Sequence, residues 1–212
     1  MSKINARSRN ERARHNGRMR KVPAEMAEQL LSVANVLGTS FESTRIDEIV
    51  EASGIPRATL YYYFDGKDQM LAFLLGESLN RLVEQAGKVA AGPGDAALRL
   101  VELVRAQLRY MFENPGTSQL LFLSLGSAGA MPEVASRIDA GFHQPVRQLL
   151  HEGAADGSIR VQENDDLASS ALFGALTSVG LRCLVSADDP DADVVVEALL
   201  PMFWNGLQPD HG

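Results

Sequence analysis

The segment 44–64 places the tightest restriction on the fold of this 212-residue chain. Apolar residues at helical spacing predict a short helix with Thr44 as its N-cap, and Gly54 can adopt the left-handed conformation that a tight turn between helices requires. Pro56 suits the start of a second short helix that runs to about Tyr63. Two short helices around a glycine turn need neighbouring helices to brace them, and this arrangement is typical of a helix-turn-helix.

The rest of the chain also shows apolar residues at helical spacing, and no segment alternates apolar and polar residues as a half-buried strand does. The predicted fold class is therefore all-α. A first helix is expected between Pro23 and Gly38, and a long fourth helix from about Lys67 to Ala90. Breaks at glycine or proline, Pro115 among them, separate further predicted helices over about 95–113, 118–127, 132–152, 165–186 and 191–207.

The charge of the chain is unevenly distributed. Residues 1–21 contain eight basic residues and one acidic residue, a net charge of +7, whereas residues 22–212 carry a net charge of −14. This polarity would bring the N-terminal end to a phosphate backbone and hold the remainder away from it. We expect residues 1–21 to form a flexible basic arm that contacts DNA; a basic leader that only aids solubility is the alternative.

The residue content argues against an enzyme. Cys183 is the single cysteine, and the four histidines lack the spacing of metal ligands, so neither a metal nor a cofactor is expected. The chain has no phosphate-binding glycine loop and no nucleophile elbow. It also lacks an uninterrupted apolar stretch of about 20 residues and a leader with an apolar region, so we expect a cytoplasmic protein without a membrane partner.

The second short helix of the segment has two chemically distinct faces. Leu60 and Phe64 are four residues apart and should pack inward. The outward or sideways face then carries residues suited to nucleic acid, because tyrosine hydroxyls reach phosphates and arginine pairs bidentately with guanine. These residues are Arg57, Thr59, Tyr61, Tyr62 and Tyr63. The alternative interpretation makes the tyrosines core aromatics and the arginine part of a solvated face.

Residues 31–75 resemble the DNA-binding region of the TetR (tetracycline-repressor) family, most closely over 44–64 and at Lys67, Asp68 and Leu71. The sequence departs from the family pattern where Ala58, Tyr63 and Gly66 stand in place of the more usual glycine, histidine and serine. The resemblance implies phosphate contacts by Thr44 and Lys67, entry of Arg45 into the groove, and a recognition surface made of Arg57, Thr59, Tyr61, Tyr62 and Tyr63.

The same resemblance implies the organisation and function of the whole chain. A helix-turn-helix domain over 22–66 would follow the arm, and a helical effector-binding and dimerisation domain would occupy 67–212. The protein would be a sequence-specific regulator of transcription that binds operator DNA as a homodimer. It would act as a repressor that a small apolar or amphipathic effector releases from the operator. A constitutive architectural DNA-binding protein is the competing interpretation, and it predicts a solid C-terminal half.

The family pattern places dimerisation on the last two long helices and an effector cavity among the middle helices. One stripe for pairing would contain Ala168, Ala171, Leu172, Ala175, Val179 and Leu184, and the other Val195, Leu199, Met202 and Phe203. Both stripes could instead face their own core. Candidate wall residues of the cavity are Leu108, Met111, Phe112, Phe122, Leu125, Met131, Phe142 and Phe173, with Arg109, His143 and Thr177 as polar contacts. Plain core residues have the same composition as an apolar pocket.

Overall fold

The computed structural model describes residues 21–38, 40, 43–125, 132–186 and 190–207, and in this part of the chain every regular element is helical. The all-α prediction is confirmed. The elements in chain order are α1 (Ala24–Leu37), α2 (Ile46–Ser53), α3 (Arg57–Tyr63), α4 (Lys67–Ala90), α5 (Ala96–Glu113), α6 (Pro115–Leu125), α7 (Pro132–Ile138), a π-helical turn (Asp139–His143), α8 (Gln144–Asp156), α9 (Asp165–Ser186) and α10 (Ala192–Leu207).

The buried apolar residues form two clusters, which divide the molecule into a head and a body. The head cluster joins α1, α2 and α3 to the first half of α4, and it also receives Leu120 from α6. The body cluster is built mainly from α5, α8, α9 and α10. We call residues 24–75 the head and the helices from the second half of α4 onward the body. The head core therefore extends beyond residue 66, because the first half of α4 completes it.

Local chemistry explains most of the helix boundaries, and it corrects two of them. Gly54 ends α2 with a φ of 68°, as the turn between α2 and α3 requires. The N-cap of α2 is Arg45 rather than Thr44, because the Arg45 backbone N–H donates to the Glu48 carboxylate at 2.7 Å. Pro115 does not lie in a break between helices: it begins α6, where a missing N–H costs nothing.

The body packs around α5, which contacts α4, α8, α9 and α10. The Asp95 side chain caps α5 by accepting a hydrogen bond from the Leu98 backbone N–H at 2.8 Å. Helices α7 and α8 form one continuous helical stretch, interrupted only by the π-helical turn that packs against α4. This stretch starts where the sequence predicts a helix at 132 and continues four residues past the expected end at 152.

The C-terminal helix pair leaves apolar surface uncovered. Leu167 and Val185 on α9 are 68% and 74% exposed, and Val194 and Met202 on α10 are 62% and 78% exposed. In length and composition α9 could also cross a membrane, with 22% of its most apolar window buried. A single such helix is weak evidence for a membrane span, since a soluble protein that buries the helix against a partner has the same composition.

Candidate DNA-binding surface and effector pocket

Helix α3 presents tyrosine side chains on a surface that the head core supports from behind. Leu60 and Phe64 are each 1% exposed in the head core, as their spacing predicts. Tyr61 and Tyr62 are 46% and 56% exposed, and Tyr63 is half-buried against the head core with its ring 5.0 Å from that of Tyr62. The tyrosines are therefore not core aromatics as a group: two of them face solvent and the third positions its neighbour.

Arg57 lies at the start of α3 and is held by two side chains. Its guanidinium forms an ion pair with Asp47 of α2, and its Cζ lies 5.5 Å from the centre of the Tyr61 ring. A hydrogen bond with Tyr61, followed by the charge of Asp47, raises the pKa of Arg57 above its ordinary value. Arg57 is exposed, so these contacts orient a permanently charged side chain toward solvent rather than bury it.

Thr44 and Lys67 are brought together just outside α3, and the polar group of each side chain donates to a backbone carbonyl. The Thr44 hydroxyl donates to the Ser40 carbonyl at 2.7 Å, and Thr44 as a whole is 9% exposed. The Lys67 ammonium donates to the Thr44 carbonyl at 3.2 Å. In this arrangement Thr44 shapes the loop before α2, whereas Arg45 is exposed beside it and Thr59 is half-buried on α3.

The body contains a pocket between α4, α5, α6, the helical stretch from α7 through the π-helical turn, and α9. The pocket is partly open to solvent. Apolar side chains make most of its wall: Leu79, Leu82, Met111, Leu121, Phe122, Ile138, Phe142, Phe173 and Leu176. The polar residues of the wall are Gln107, Tyr110, Ser118, Arg137 and Thr177. A solid C-terminal half, as the architectural interpretation predicts, is not what the described residues form.

The pocket wall contains some of the predicted effector residues and leaves others out. Met111, Phe122, Phe142, Phe173 and Thr177 line it. Other candidates stand elsewhere: Leu108 is fully buried in the body core, Phe112 is half-buried against that core, and Arg109 forms an exposed ion pair with Asp193. The Leu125 side chain and Met131 lie outside the described residues.

His143 stands behind the pocket wall instead of within it. Its Nδ1 lies 2.6 Å from the buried Ser169 hydroxyl, and its ring contacts those of Phe142 and Phe173. Burial lowers the pKa of His143, so the imidazole is neutral at pH 7. The side chain therefore supports two aromatic wall residues, a role that its place in the sequence does not reveal.

Most of the unpredicted wall residues come from α4, α5 and α7. Leu79 and Leu82 mark α4 as amphipathic, but their spacing cannot distinguish a helix packed on a solid core from one that borders a cavity. Gly141 lies in the π-helical turn, and its carbonyl accepts a hydrogen bond from the Gln107 amide at 3.2 Å. Arg137 is missed because a charged residue on an amphipathic helix is mostly exposed, and the sequence does not show the space beside Gly76 that admits its guanidinium.

Comparison with known proteins decides the family. The profile of the bacterial regulatory proteins of the tetR family matches residues 38–73, the segment that contains α2, α3 and the start of α4. The chain is a TetR-family regulator. A DNA-binding regulator is thereby confirmed as the class of protein, and the expectation that the chain is not an enzyme agrees with this family. No curated protein is similar enough in sequence to match the chain.

Solved structures show how far the likeness extends beyond the head of this TetR-family regulator. A TetR/AcrR-family regulator from Thermobifida fusca is 25% identical, with a TM-score of 0.63 over 85% of this chain and 97% of that chain. FadR from Bacillus subtilis, solved with stearoyl-CoA, is 16% identical, with a TM-score of 0.73 over 86% and 97% of the two chains. The ketosteroid regulator KstR2 of Mycobacterium tuberculosis is 18% identical, with a TM-score of 0.71 over 91% and 100%.

In this TetR-family regulator, α4 and α6 each contact both the pocket and the head core. Helix α4 places Leu74 and Leu75 in the head core and Leu79 in the pocket wall. Helix α6 places Leu120 in the head core, whereas Leu121 lines the pocket next to it. The pocket and the head core that supports α3 are therefore joined by two helices.

The contact between α1 and the beginning of α6 is unusually close. The Gly116 backbone N–H donates to the Asn35 side-chain oxygen at 2.9 Å, and the Asn35 amide donates to the Glu113 carbonyl at 3.4 Å. A Cβ at Gly116 would lie 2.0 Å from the Asn35 carbonyl oxygen, so only glycine fits there without movement. About two turns earlier on α1, Glu28 forms an ion pair with Arg81 of α4.

The two stripes expected for dimerisation do not share the exposure that an interface needs. Leu172 and Leu199 are 5% and 7% exposed in the protomer's own core, and Val179, Val195 and Phe203 pack against that core. Ala171 of the first stripe and Met202 of the second are exposed. Ala171 belongs to an exposed face of α9 that repeats at intervals of four and three residues: Leu167, Ala171, Gly174, Ser178, Leu181 and Val185. On α10 the exposed face contains Val194, Ala198, Pro201 and Met202.

Proposed function

We propose that this protein is a homodimeric repressor that a small effector releases from its operator. The proposal rests on one observation: α4 and α6 each place residues both in the pocket wall and in the head core. A ligand that prefers one arrangement of these helices shifts the population toward it, and the two recognition helices of a dimer move with their heads. We expect a coupling of about 1 to 3 kcal/mol, which corresponds to an operator affinity about 5- to 150-fold lower.

The DNA contacts belong to the same proposal. Arg57 and Arg45 would read base edges, and Thr59 with the exposed tyrosines of α3 would contact bases and phosphates. Lys67 would bind a phosphate at the start of α4, where the helix dipole adds to its charge. Thr44 would contribute mainly by holding the loop, since its hydroxyl already has a partner. The basic arm lies outside the described residues except for Lys21, and its net charge of +7 supports further phosphate contacts.

Dimerisation is proposed through the exposed faces of α9 and α10. Intervals of four and three residues are the spacing at which helices pack in a left-handed bundle. The face of α9 combines small residues, Ala171 and Gly174, with larger apolar ones, and small residues let helices approach closely. A two-fold dimer matches a pseudo-palindromic operator whose half-sites lie about 34 to 36 Å apart. A protein that buries these faces would be cytoplasmic and would need no membrane.

Two of the solved neighbours support a pocket for amphipathic molecules. FadR from Bacillus subtilis was solved with stearoyl-CoA, and KstR2 is described as a ketosteroid regulator. The mainly apolar wall of the pocket in this chain has the composition expected for ligands with a large apolar part.

The proposal is tested by selecting duplexes from a random library with the purified protein and then adding small-molecule extract of its source cells. We expect a pseudo-palindromic sequence bound by one dimer, and a fraction of the extract that weakens this binding and is retained by the protein. Recovery of duplexes with no shared sequence would contradict a specific regulator. Specific binding that no extract fraction changes would contradict the effector role.

A further inference from the structure

Arg137 of α7 is the one charged side chain among the described residues that line the pocket. It is half-buried, and it lies against α4 at Gly76. A Cβ on Gly76 would come within 2.3 Å of the Arg137 Nη1 atom. Glycine within a helix costs about 1 kcal/mol relative to alanine, so its presence in the middle of α4 has a structural use: it leaves room for the guanidinium.

The position of Arg137 makes the pocket asymmetric. Gly76 directly follows Leu75 of the head core, so Arg137 lies at the end of the pocket nearest the head. Tyr110 approaches the same part of α4 through a hydrogen bond with Ser78, and burial raises the pKa of its hydroxyl, which therefore stays neutral. Farther along, Gly141 packs against Val83, and the rings of Phe142 and Phe173 stand 5.2 Å apart.

We propose that the effector is an amphipathic acid, whose single negative charge binds Arg137 and whose apolar part extends toward Phe142 and Phe173. This inference rests on the proposed effector role of the pocket. A guanidinium has five N–H donors and matches a carboxylate bidentately, so it can bind the acid and keep contacts with the protein. One cation suits one anionic group better than the several phosphates of a nucleotide-linked acyl chain.

The charge on the ligand is tested by calorimetric titration of the full chain with dodecanoate and with 1-dodecanol, which share an apolar chain and differ in the acid. A charge-assisted hydrogen bond predicts that dodecanoate binds about 10- to 100-fold more tightly than the alcohol. Equal or tighter binding of the alcohol, or binding of neither probe, would overturn the inference. Tighter binding of dodecanoyl-coenzyme A than of dodecanoate would also overturn it, because the single cation would then not decide the ligand.

Two variants assign the preference to Arg137. Arg137→Met should remove the advantage of dodecanoate and leave 1-dodecanol binding within about twofold, whereas Arg137→Lys should keep part of the advantage. Arg160→Met, which removes a charge from an exposed residue outside the pocket wall, is the matched control and should change neither affinity. An unchanged preference in Arg137→Met would contradict the proposal.

Gly76→Ala provides a second test that keeps the charge. The added methyl group must displace the guanidinium, so dodecanoate affinity should fall several-fold while 1-dodecanol affinity stays the same. Operator binding by each variant without ligand serves as the measure of folding. If 1-dodecanol releases the operator and dodecanoate does not, the pocket has the proposed effector role, but the inference that the effector is an acid is wrong. If dodecanoate binds through Arg137 without changing operator affinity, the inference that the pocket binds an acid is right, but the proposed release from the operator is wrong.

Discussion

The head and the body of this regulator differ in how closely their sequences are tied to their function. The proposed recognition surface of α3 would have to fit the fixed geometry of a DNA groove, and that requirement would restrict the residue types from Arg57 to Tyr63. The pocket needs only apolar side chains at roughly the right volume, and many combinations supply it. A sequence profile consequently matches 38–73, whereas the body shares its arrangement of helices with proteins of low sequence identity.

The largest effect is expected at the exposed face of α9. In the proposed dimer this face pairs with a second copy of the chain, and DNA binding by the two heads depends on that pairing. Leu181→Glu should give the mass of a single chain in light scattering at micromolar concentration and lower operator affinity at least 100-fold, because an unpaired charge in an interface costs several kcal/mol. Val161→Glu changes a residue that is 73% exposed outside both C-terminal helices and should do neither. A dimeric Leu181→Glu variant would place the interface elsewhere.

The next effect concerns base reading by the head. Arg57→Ala should cost about 1 to 3 kcal/mol on the selected operator and relax the preference at one base step, as a mobility-shift titration against single-base operator variants would measure. Lys67→Ala should instead weaken all sequences alike, because a phosphate contact carries no sequence information. If the two variants reduced affinity in the same uniform way, Arg57 would not belong to the reading surface.

A third prediction examines the contact that joins the regions. Gly116→Ala forces a Cβ against the Asn35 carbonyl and should lower the free energy of unfolding by about 1 to 3 kcal/mol, as overpacking does. Gly87→Ala is the matched control, since a Cβ there meets nothing within 4 Å in the same kind of helical backbone. It should stabilise by up to about 1 kcal/mol in urea unfolding. Equal effects of both substitutions would mean that α1 and α6 are not tightly joined.

The smallest effect is a pH dependence confined to the body. Burial lowers the pKa of His143 in the folded protein, with Asp139 and Asp166 opposing the shift and Arg147 adding to it. The folded state therefore binds the proton less well than the unfolded state, and stability is lost as pH falls through the ordinary pKa of histidine. His143→Gln should show a smaller drop in Tm between pH 7.5 and 5.5 than the wild type, and exposed His151→Gln should not. Identical pH profiles would contradict the buried position.

The amino-acid sequence predicts the head more completely than the body for physical reasons that particular residues make clear. Leu60 and Phe64 are buried and Tyr61 and Tyr62 exposed, as helical spacing alone indicates. The predicted N-cap of α2, Thr44, is one residue too early. The Arg45 backbone N–H bonds to the Glu48 carboxylate and replaces the expected side-chain cap.

The sequence predicts the body less well, because it does not show which face of each helix is buried in the core, lines the pocket or is exposed. Leu172 and Leu199 are apolar and correctly spaced but pack inward, whereas Ala171 and Met202 of the same predicted stripes are exposed. Leu108 lies in the body core alone, whereas Met111 contacts both the body core and the pocket. Their spacing along α5 does not distinguish the two environments. Arg137 belongs to a pocket wall only because Gly76 on a distant helix leaves space for it.

The central claim is that the pocket and the DNA-binding surface are coupled through α4 and α6, and the most direct test measures the coupling from both ends. Operator affinity is determined with and without saturating effector retained from cell extract, and effector affinity is determined for the free and the operator-bound dimer. Linkage requires the two ratios to be equal, and we predict a common factor of about 5 to 150. An effector that occupies the pocket but binds the free and the operator-bound protein equally well would contradict the claim.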